Sequence, residues 1–346
     1  MRESESISAR SEDSSVPKPS GTSTYPSVAV LTVNTNGAGF MAEFGESLAK
    51  ITYPRYRLIV VDNASTDDSL QILKRWHPEA VVLQNDANLG FTGACNRGLA
   101  YCLDQDFDYV LLLNSDVIME PDFLDHLVAG ADGRTMTAPK TYLYHHPGRL
   151  DDSVGEFDWT RGVWKQRILG KLPTPDFDQP RPVDSANLSC LLVPSGLLRE
   201  VGLLDDNFFI YYDDTDFVRR ARNTGYRLWF VPAAVIYHQK GATIGGSDTP
   251  FGVYYLTRNR PYVIRKHVRS RLRRALFWVY YLTSRLMRLI EFLARRRHDL
   301  AKAMLLGLID YWRGRMGKTV EREKWPSKAQ VGAPGLKMRG ERRAKT

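Results

Sequence analysis

The stretch Ser27–Asn34, SVAVLTVN, decides the fold of this 346-residue chain. It is nearly continuous in apolar and β-branched residues, which is the pattern of a strand buried on both faces of a parallel sheet. A polar loop follows, residues 41–50 are predicted to form a helix, and Arg57–Val61 (RLIVV) is predicted to be a second buried strand. A strand, a helix and a strand in this order predict an α/β fold on a parallel sheet.

The same alternation continues with a predicted helix at 67–76 and a strand at 80–84. The segment 88–98, NLGFTGACNRG, then opens a helix, and Tyr109–Asp116 (YVLLLNSD) is a further apolar strand that ends in polar residues. Open α/β sheets bind ligands beyond the carboxyl ends of their strands. The segments DNASTDDS, from residue 62, and NSD, to residue 116, therefore mark a predicted binding edge.

The middle of the chain is less regular. Residues 135–185 carry many prolines and suggest a β-rich excursion that frames a substrate cleft, while Leu188–Val193 is predicted to be a strand. Residues 226–237 predict one or two more strands that end at His238. A single histidine more often satisfies a structural hydrogen bond than binds a metal, so His238 alone decides nothing.

Three carboxylates crowd into four positions of the stretch 208–226, FFIYYDDTDFVRRARNTGY: Asp213, Asp214 and Asp216. A helix N-terminus stabilises negative charge, and an apolar wall raises the pKa of a carboxylate that it desolvates, so the cluster suits a general base. The alternative is structural, with Asp213 or Asp214 capping the helix and Asp216 facing an arginine one turn later.

Charge is uneven along the chain. The 48 Lys and Arg exceed the 39 Asp and Glu, and the excess lies in residues 258–346, which predicts affinity for an anionic surface such as lipid or nucleic acid. The three cysteines are too scattered for a disulfide framework or a zinc site, which suits a reducing compartment. Residues 1–26 lack a signal-peptide core and read as a disordered leader, and no apolar run predicts a transmembrane helix.

Between Arg271 and Arg295 the apolar residues fall on one arc of a predicted helix. They are Leu276, Val279, Leu282, Leu286, Met287, Leu289, Ile290 and Leu293. The opposite side carries Arg271, Arg274, Arg285, Arg288, Glu291 and Arg295. A basic amphipathic helix of this kind is typical of a membrane interface, although packing on the domain's own core or on a partner subunit is the alternative. A second amphipathic helix is predicted at 300–313, followed by a basic disordered tail from residue 314.

Four motifs in order, VNTNG, VVDNASTDDS, LLLNSDV and YYDDTDF, resemble the family 2 nucleotide-sugar glycosyltransferases, in the branch that includes bacterial rhamnosyltransferases. The resemblance covers residues 27–262. It implies a GT-A fold, which is a mixed, mostly parallel sheet flanked by helices, here with a C-terminal amphipathic helical extension. The predicted division of the chain is 1–26, 27–262, 263–313 and 314–346.

The resemblance also implies residue roles. Asp214 matches the catalytic base, Asp213 takes the place of the family's Glu beside it, and Asp116 and His238 match metal ligands. The residues expected to contact the donor are Asn34, Thr35, Asp62, Asn63, Asn88, Gly90, Ser115, Lys240 and Arg258, with Asp62 on the pyrimidine ring. Thr35 replaces the family's usual aromatic residue, and the shorter Asp213 could exchange roles with Asp214.

Chemistry supports these roles. A nucleoside diphosphate leaves readily once a divalent cation, magnesium or manganese, neutralises its charge, and an acceptor hydroxyl needs a carboxylate to take its proton. A single base opposite the leaving group implies one displacement with inversion. The resemblance implies a dTDP- or UDP-linked donor and a glycan or polyprenyl-diphosphate-linked acceptor at the cytoplasmic membrane face, where Lys240, Arg258 and Arg260 would meet a diphosphate. No recognised nucleic-acid motif accompanies the basic tail.

The sequence leaves two other classes of protein as alternatives. A nucleotidyltransferase or dinucleotide-binding oxidoreductase expects a glycine-rich phosphate loop after the first strand, and VNTNGAGF matches that pattern poorly. A non-catalytic binding module on the same fold is the remaining alternative, but it would have no need of an intact base.

Overall fold

The computed structural model describes residues 25–165, 168–239 and 248–320. The predictions for the leader up to residue 24, for Lys240 and for the tail beyond residue 320 therefore lie outside the described residues.

The strands are β1 (Val28–Asn34), β2 (Tyr56–Asp62), β3 (Val81–Gln84), β4 (Tyr109–Leu113), β5 (Val117–Met119), β6 (Thr135–Leu143), β7 (Val154–Gly155), β8 (Phe157–Asp158), β9 (Val163–Trp164), β10 (Arg181–Pro182), β11 (Ser185–Ala186), β12 (Cys190–Pro194) and β13 (Arg227–His238). The helices are α1 (Ala38–Ala49), α2 (Ser69–Trp76), α3 (Gly90–Asp104), α4 (Phe123–Ala129), α5 (Ser195–Val201), α6 (Asp213–Asn223), α7 (Pro250–His267), α8 (Arg271–Ala294) and α9 (His298–Trp312), with a 3₁₀ turn at Pro175–Asp178.

One main sheet runs in the order β10-β13-β6-β12-β4-β1-β2-β3, with β5 paired to β13. Strands β4, β1, β2 and β3 are mutually parallel, as are β6 and β13, whereas β12 runs antiparallel to both its neighbours. Most residue pairs in the ladders are parallel, so the predicted mixed, mostly parallel sheet is confirmed.

The central strands are buried on both faces, as their unbroken apolar sequence predicts. Along β1, Ala29 and Leu31 contribute to one apolar cluster, while Val28 and Val30 contribute to the cluster on the other face. Helix α3 packs on the first face and α1 on the second. Two layers of side chains therefore hold the sheet rigidly below its carboxyl edge.

Strand β6 lies inside the region predicted to be irregular. Its sequence, TMTAPKTYL, contains Pro139 and Lys140, which obscure the strand pattern. The register between β6 and β13 shifts between Val231 and Val235, next to the Val231–Pro139 pair, so a local irregularity accommodates the proline within a long parallel ladder.

Helix α7 spans residues 262 and 263, where the sequence predicts a domain boundary. The helix is buried over most of its length and packs with α9 and the loop before α6. The described residues 314–320 also dock onto the domain, where the sequence predicts a disordered tail; for example, Tyr255 Oη donates to the carbonyl oxygen of Val320. In the described parts of the chain, none of the helices combines the length and the hydropathy that a bilayer crossing requires.

Candidate active site

Parallel pairing brings the ends of β1 and β2 together, with Asn34 opposite Asp62. Both side chains are buried, and Asn34 Nδ2 donates to Asp62 Oδ1 at 2.8 Å and to Ser69 Oγ at 2.8 Å. The second carboxylate oxygen of Asp62 accepts from the backbone N–H of Ser65 at 3.1 Å. Asp62 is therefore fixed at the rim of the sheet before any ligand arrives.

Asn63 extends this arrangement to the loop before α3. Its Nδ2 donates to Asn88 Oδ1 at 3.0 Å and to the carbonyl oxygen of Gly90 at 3.1 Å. Its Oδ1 accepts from Asn85 Nδ2 at 3.0 Å and from the N–H of Leu89 at 2.9 Å. We call the side chains of Asn34, Asp62, Asn63, Asn85 and Asn88 the amide cluster.

Thr35 and Ser115 flank the amide cluster. Thr35 follows β1 and is partly exposed, whereas Ser115 is buried after β4 and its Oγ donates to the carbonyl oxygen of Val33 at 3.3 Å. The oxygen Oδ1 of Asn34 is buried and has no hydrogen-bond partner among the described residues. An unsatisfied acceptor at a rim of this kind is suited to a donor group of a bound ligand.

His238, at the end of β13, lies between two carboxylates. Its Nδ1 is 2.7 Å from Asp151 Oδ2, and its Nε2 is 3.4 Å from Asp116 Oδ1. Burial alone would lower the pKa of His238, but the two carboxylates outweigh it and raise the pKa to about 9. The sequence analysis did not identify Asp151, which fixes the ring orientation in the way a carboxylate does behind a metal-binding imidazole.

Asp116 and His238 offer one carboxylate and one imidazole to a cation. No group of three or more His, Cys, Asp or Glu side chains that could hold a metal ion alone occurs within the described residues. Manganese and magnesium accept a few protein ligands and complete their shells with phosphate oxygens and water. The side chains present therefore fit a cation that is shared with a bound diphosphate.

The second part of the site is the acid loop, residues 208–214. Phe209, Tyr211 and Tyr212 have φ angles of 64°, 63° and 68°, a left-handed conformation that costs bulky residues about 1–2 kcal/mol each. Backbone strain of this kind persists only where the surroundings impose it.

Helix α7 stabilises the acid loop in this conformation. The buried Asn259 Nδ2 lies within hydrogen-bond distance of the carbonyl oxygens of Phe208, Ile210 and Tyr211, at 2.9, 2.7 and 3.1 Å. Its Oδ1 accepts from Nε of Arg258 at 2.9 Å. A single amide side chain thus binds the carbonyl groups of the strained segment.

Arg258 does not occupy the predicted donor-binding position. Its guanidinium is fully buried and donates to the carbonyl oxygens of Asn207, Phe208 and Gly317, so it supports the acid loop instead. Arg260, also expected to meet a diphosphate, donates through Nε to the carbonyl oxygen of Arg161 at 3.0 Å. Both arginines satisfy backbone carbonyl groups that helices and strands leave unpaired.

The acid loop delivers Asp213 and Asp214 to the first turn of α6. Asp213 is buried, and burial, followed by the charge of Asp214, raises its pKa to about 8. Burial also raises the pKa of the partly exposed Asp214, although the N–H and Oγ1 of Thr215 both donate to its Oδ1. Tyr212 occupies the N-cap and neither acid caps the helix, so the structural alternative fails for this pair.

Asp216 behaves differently on the same helix. It accepts from His267 Nε2 at 2.7 Å and Arg220 Nε at 2.9 Å and pairs with Lys266 Nζ at 2.7 Å. Burial would raise its pKa, but these bonds and charges outweigh it and lower the pKa to about 2. Asp216 is therefore a structural ion-pair partner, as the structural alternative predicted for this acid alone.

The amide cluster and the acid loop meet at Gly90. Its carbonyl oxygen accepts from Asn63, its φ is +76°, and a Cβ there would lie 2.3 Å from the ring of Phe209. The N–H of Thr92 also donates to the carbonyl oxygen of Phe209 at 3.3 Å. The two halves of the site therefore share one contact, which tolerates only glycine.

The sequence analysis missed Asp151 and Asn259. Asp151 lies in the irregular middle region, where no periodicity marks it. Asn259 carried a weak signal, because the run Arg258-Asn259-Arg260 interrupts the apolar residues of α7 and is buried.

Residues 27–179 match the family described as glycosyl transferase family 2. The chain is 28% identical over 240 residues to the N-acetylglucosaminyl-diphospho-decaprenol L-rhamnosyltransferase of Mycobacterium tuberculosis, covering 62% of this chain and 77% of that protein. It is 27% identical over 193 residues to rhamnosyltransferase WbbL of Escherichia coli, covering 53% of this chain and 72% of that protein. With the dTDP-rhamnosyl transferase RfbF of Shigella flexneri it shares 23% identity over 220 residues, 61% of this chain and 71% of that protein.

Among solved structures, a crystal structure of GalNAc-T7 with UDP, GalNAc and Mn²⁺ superposes with a TM-score of 0.53 and 18% identity, covering 68% of this chain and 48% of that chain. At this identity the likeness establishes the fold, which is the GT-A type. Fold, motifs and relatives together define a glycosyltransferase. Residues 27–179 carry the match to glycosyl transferase family 2, and the chain is similar to rhamnosyltransferases.

Proposed function

We propose that this protein transfers rhamnose or a similar hexose from a nucleoside-diphosphate donor to a hydroxyl of a glycan or polyprenyl-diphosphate-linked sugar, with inversion at the anomeric carbon. The observation that carries this proposal is the pair Asp213 and Asp214 at the start of α6. Both carboxyls have raised pKa values, and the loop that bears them packs against the loop of the amide cluster.

Asp214 is the proposed base. It is the more exposed of the two acids, and Thr215 holds its Oδ1 while no described residue donates to its Oδ2. A carboxylate with a raised pKa takes a proton from a hydroxyl more readily than an ordinary one. Asp213 is buried beside it, and burial followed by the charge of Asp214 raises the pKa of Asp213 to about 8, so the pair has a high affinity for a proton.

The amide cluster is the proposed donor site. Asp62 would contact the pyrimidine ring, while Asn63 and Asn88 hold the loop that surrounds it. Asp116 and His238 would hold a magnesium or manganese ion, which supplies charge neutralisation to the departing diphosphate. Asp151 would keep the His238 ring oriented.

The acceptor class rests on the relatives. The M. tuberculosis protein is named for an N-acetylglucosaminyl-diphospho-decaprenol acceptor, and the S. flexneri protein for a dTDP-rhamnosyl donor. A lipid-linked acceptor used together with a nucleotide sugar places the proposed reaction at the cytoplasmic face of a membrane.

The test is a donor screen with the full chain, magnesium or manganese, and dTDP-, UDP- and GDP-linked sugars. Thermal shift reports binding, and slow hydrolysis of the donor reports chemistry. We expect one nucleotide sugar to raise the melting temperature, an effect that Asp62→Ala or EDTA removes. The anomeric configuration of the product, read by NMR after transfer to a lipid-linked N-acetylglucosamine, tests inversion.

Retention of configuration, or full activity of Asp214→Asn, would contradict the mechanism. If no nucleotide sugar shifts the melting temperature, the chain is a non-catalytic binding module on the GT-A fold.

A further inference from the structure

Helix α8 exposes its apolar side to solvent, whereas an ordinary surface helix buries that side. The apolar arc predicted from the sequence faces solvent along the whole 24-residue helix. The arc residues are Leu272, Leu276, Val279, Leu282, Leu286, Met287, Ile290 and Leu293, with exposed fractions from 48% to 72%. Leu289, at the edge of the arc, is half-buried against the protein.

The face that α8 turns inward is aromatic and basic. Phe277, Tyr281 and Phe292 are buried, Arg285 lies 5.6 Å from the Tyr281 ring, and Arg288 lies 5.0 Å from the Phe292 ring. Tyr281 Oη also donates to the carbonyl oxygen of Thr257 in α7 at 2.6 Å. These contacts fix the rotation of the helix, so the protein cannot bury the outer arc by turning it.

The exposed arc spans about 32 Å from Leu272 to Leu293 at 1.5 Å per residue, and monomeric proteins rarely leave a contiguous apolar strip of that length in water. Helix α9 carries further exposed apolar residues, namely Leu305, Ile309 and Trp312. Trp312 stacks on Trp278 of α8 with ring centroids 5.1 Å apart, which connects the two helices at an aromatic edge. Tryptophan is enriched where one side of a ring is apolar and the other is wet.

Both ends of the arc are basic. Arg269, Arg271 and Arg273 are exposed at its start, and Arg295 and Arg296 are exposed at its end. The acidic side chains nearest the C-terminal end of the arc form ion pairs. Glu291 pairs with Arg288 and Arg295, and Asp299 pairs with Arg297. The surface that covers this strip must therefore be apolar in the middle and negatively charged around it.

A second copy of the chain meets this requirement poorly. Whether two α8 helices paired parallel or antiparallel, the basic end of one would face a basic end of the other, and like charges across an interface oppose association. A bilayer with anionic headgroups provides both an acyl region for the arc and negative charge for the arginines.

We propose that α8, with the aromatic edge of α9, lies in the surface of an anionic lipid bilayer, with its leucine-rich arc in the acyl boundary. The inward face of the same helix contributes Phe277 and Tyr281 to the buried apolar cluster that also contains Phe208 of the acid loop and Phe157 of the β8–β9 hairpin. The docked helix and the acid loop thus share one apolar cluster.

The test is sedimentation with vesicles of phosphatidylglycerol and phosphatidylcholine, compared with phosphatidylcholine alone, without any sugar donor. We expect the full chain to bind the anionic vesicles and to release at high salt. Leu286→Glu should weaken binding roughly ten-fold or more, because it places a charge in the apolar arc. Leu172→Glu is the matched control, since Leu172 is 65% exposed and Leu286 59%, and it should bind as the unmodified protein does.

A second measurement tests whether the aromatic edge formed by Trp278 and Trp312 contacts lipid. Brominated lipids should quench part of the tryptophan emission, and Trp312→Phe should lose part of that quenching. Circular dichroism of each variant confirms that it remains folded.

Three results would overturn the proposal. Equal binding to neutral vesicles removes the role of the arginines, and equal loss in Leu286→Glu and Leu172→Glu removes the role of the arc. Absence of vesicle binding, together with a dimer in sedimentation velocity that Leu286→Glu dissociates, assigns the arc to a second copy. Because no sugar is present, the result is independent of the proposed transfer reaction.

Discussion

The amide cluster and the acid loop meet at Gly90, yet they are stabilised in opposite ways. The amide cluster lies at strand ends and is held by short hydrogen bonds among its own side chains, such as Asn63 to Asn88 at 3.0 Å. The acid loop has three aromatic residues in left-handed conformation and a buried carboxylate oxygen, Oδ2 of Asp213, without a partner in the described residues. Its support comes from α7, through Asn259.

This difference matches the proposed division between donor recognition by the amide cluster and chemistry by the acid loop. A preformed polar cluster can bind a nucleotide without reorganisation, while strain and unsatisfied charge are concentrated where a proton must move. Variants in the two regions should therefore affect different kinetic constants.

The largest expected effect is that of Asp214→Asn. Removing the base should lower kcat by a factor of about 10²–10⁴, with donor affinity unchanged, because Asp214 lies outside the amide cluster. Steady-state kinetics and donor titration by calorimetry separate the two quantities. Asp104→Asn, at an exposed acid at the end of α3, is the control; a raised donor Kd in Asp214→Asn would show that the two regions are not separate.

The paired variants Asn63→Ala and Asn259→Ala test the comparison directly. Asn63→Ala should raise the donor Kd about 10- to 100-fold, because it removes four hydrogen bonds worth about 1 kcal/mol each, only part of which act on the site. Asn259→Ala should instead lower kcat by a similar factor, because the acid loop relaxes. The comparison fails if both variants change the same constant.

Asp216 provides a stability test within α6. Its pKa is about 2 in the folded protein against 3.8 for the free side chain, so its contribution of about 2 kcal/mol is complete above pH 4 and is lost as the pH falls from 4 to 2. Denaturation of the unmodified protein and Asp216→Asn at pH 5 and pH 2.5 should show a difference in unfolding free energy that shrinks with acidity. A constant difference would mean that the ion pairs do not set it.

The smallest expected effect is on the pH profile. Because burial raises both pKa values of the Asp213–Asp214 pair, the acid limb of kcat/KM should lie at a higher pH than that of an ordinary aspartate. Asp213→Asn removes one member of this coupled pair, so the acid limb should move to lower pH. An unmoved limb would assign the titration to another group.

The binding edge that carries the amide cluster could be predicted from the sequence because strand ends and polar residues at an edge follow from local pattern, although Asn85 was not identified. Asp62, Asn63 and Asp116 all follow apolar runs, and the parallel pairing brings those runs together. The α/β sheet was predicted for the same reason, whereas the GT-A type was implied by the family resemblance; both are confirmed.

The acid loop could not be predicted in the same way. Nothing in FFIYY signals left-handed backbone, since aromatic residues avoid it, and its support comes from Asn259, about 50 positions away. Arg258 was misassigned because a charged side chain suggests a ligand, whereas here it satisfies carbonyl groups of a loop. The apolar arc of α8 was identified from its periodicity. Periodicity does not show whether the arc or the opposite side, with its aromatic residues and arginines, packs on the protein.

The dependence of the acid loop on Asn259 has a consequence during translation. Asn259 follows Phe208 by 51 residues, so at roughly 5–20 residues per second the ribosome needs about 3–10 s to make the support after making the loop. In that interval the strands up to β12 have been synthesised, while Asp213 and Asp214 lack the backbone geometry that Asn259 stabilises. The nascent chain can therefore complete its amide cluster well before it can become catalytically competent.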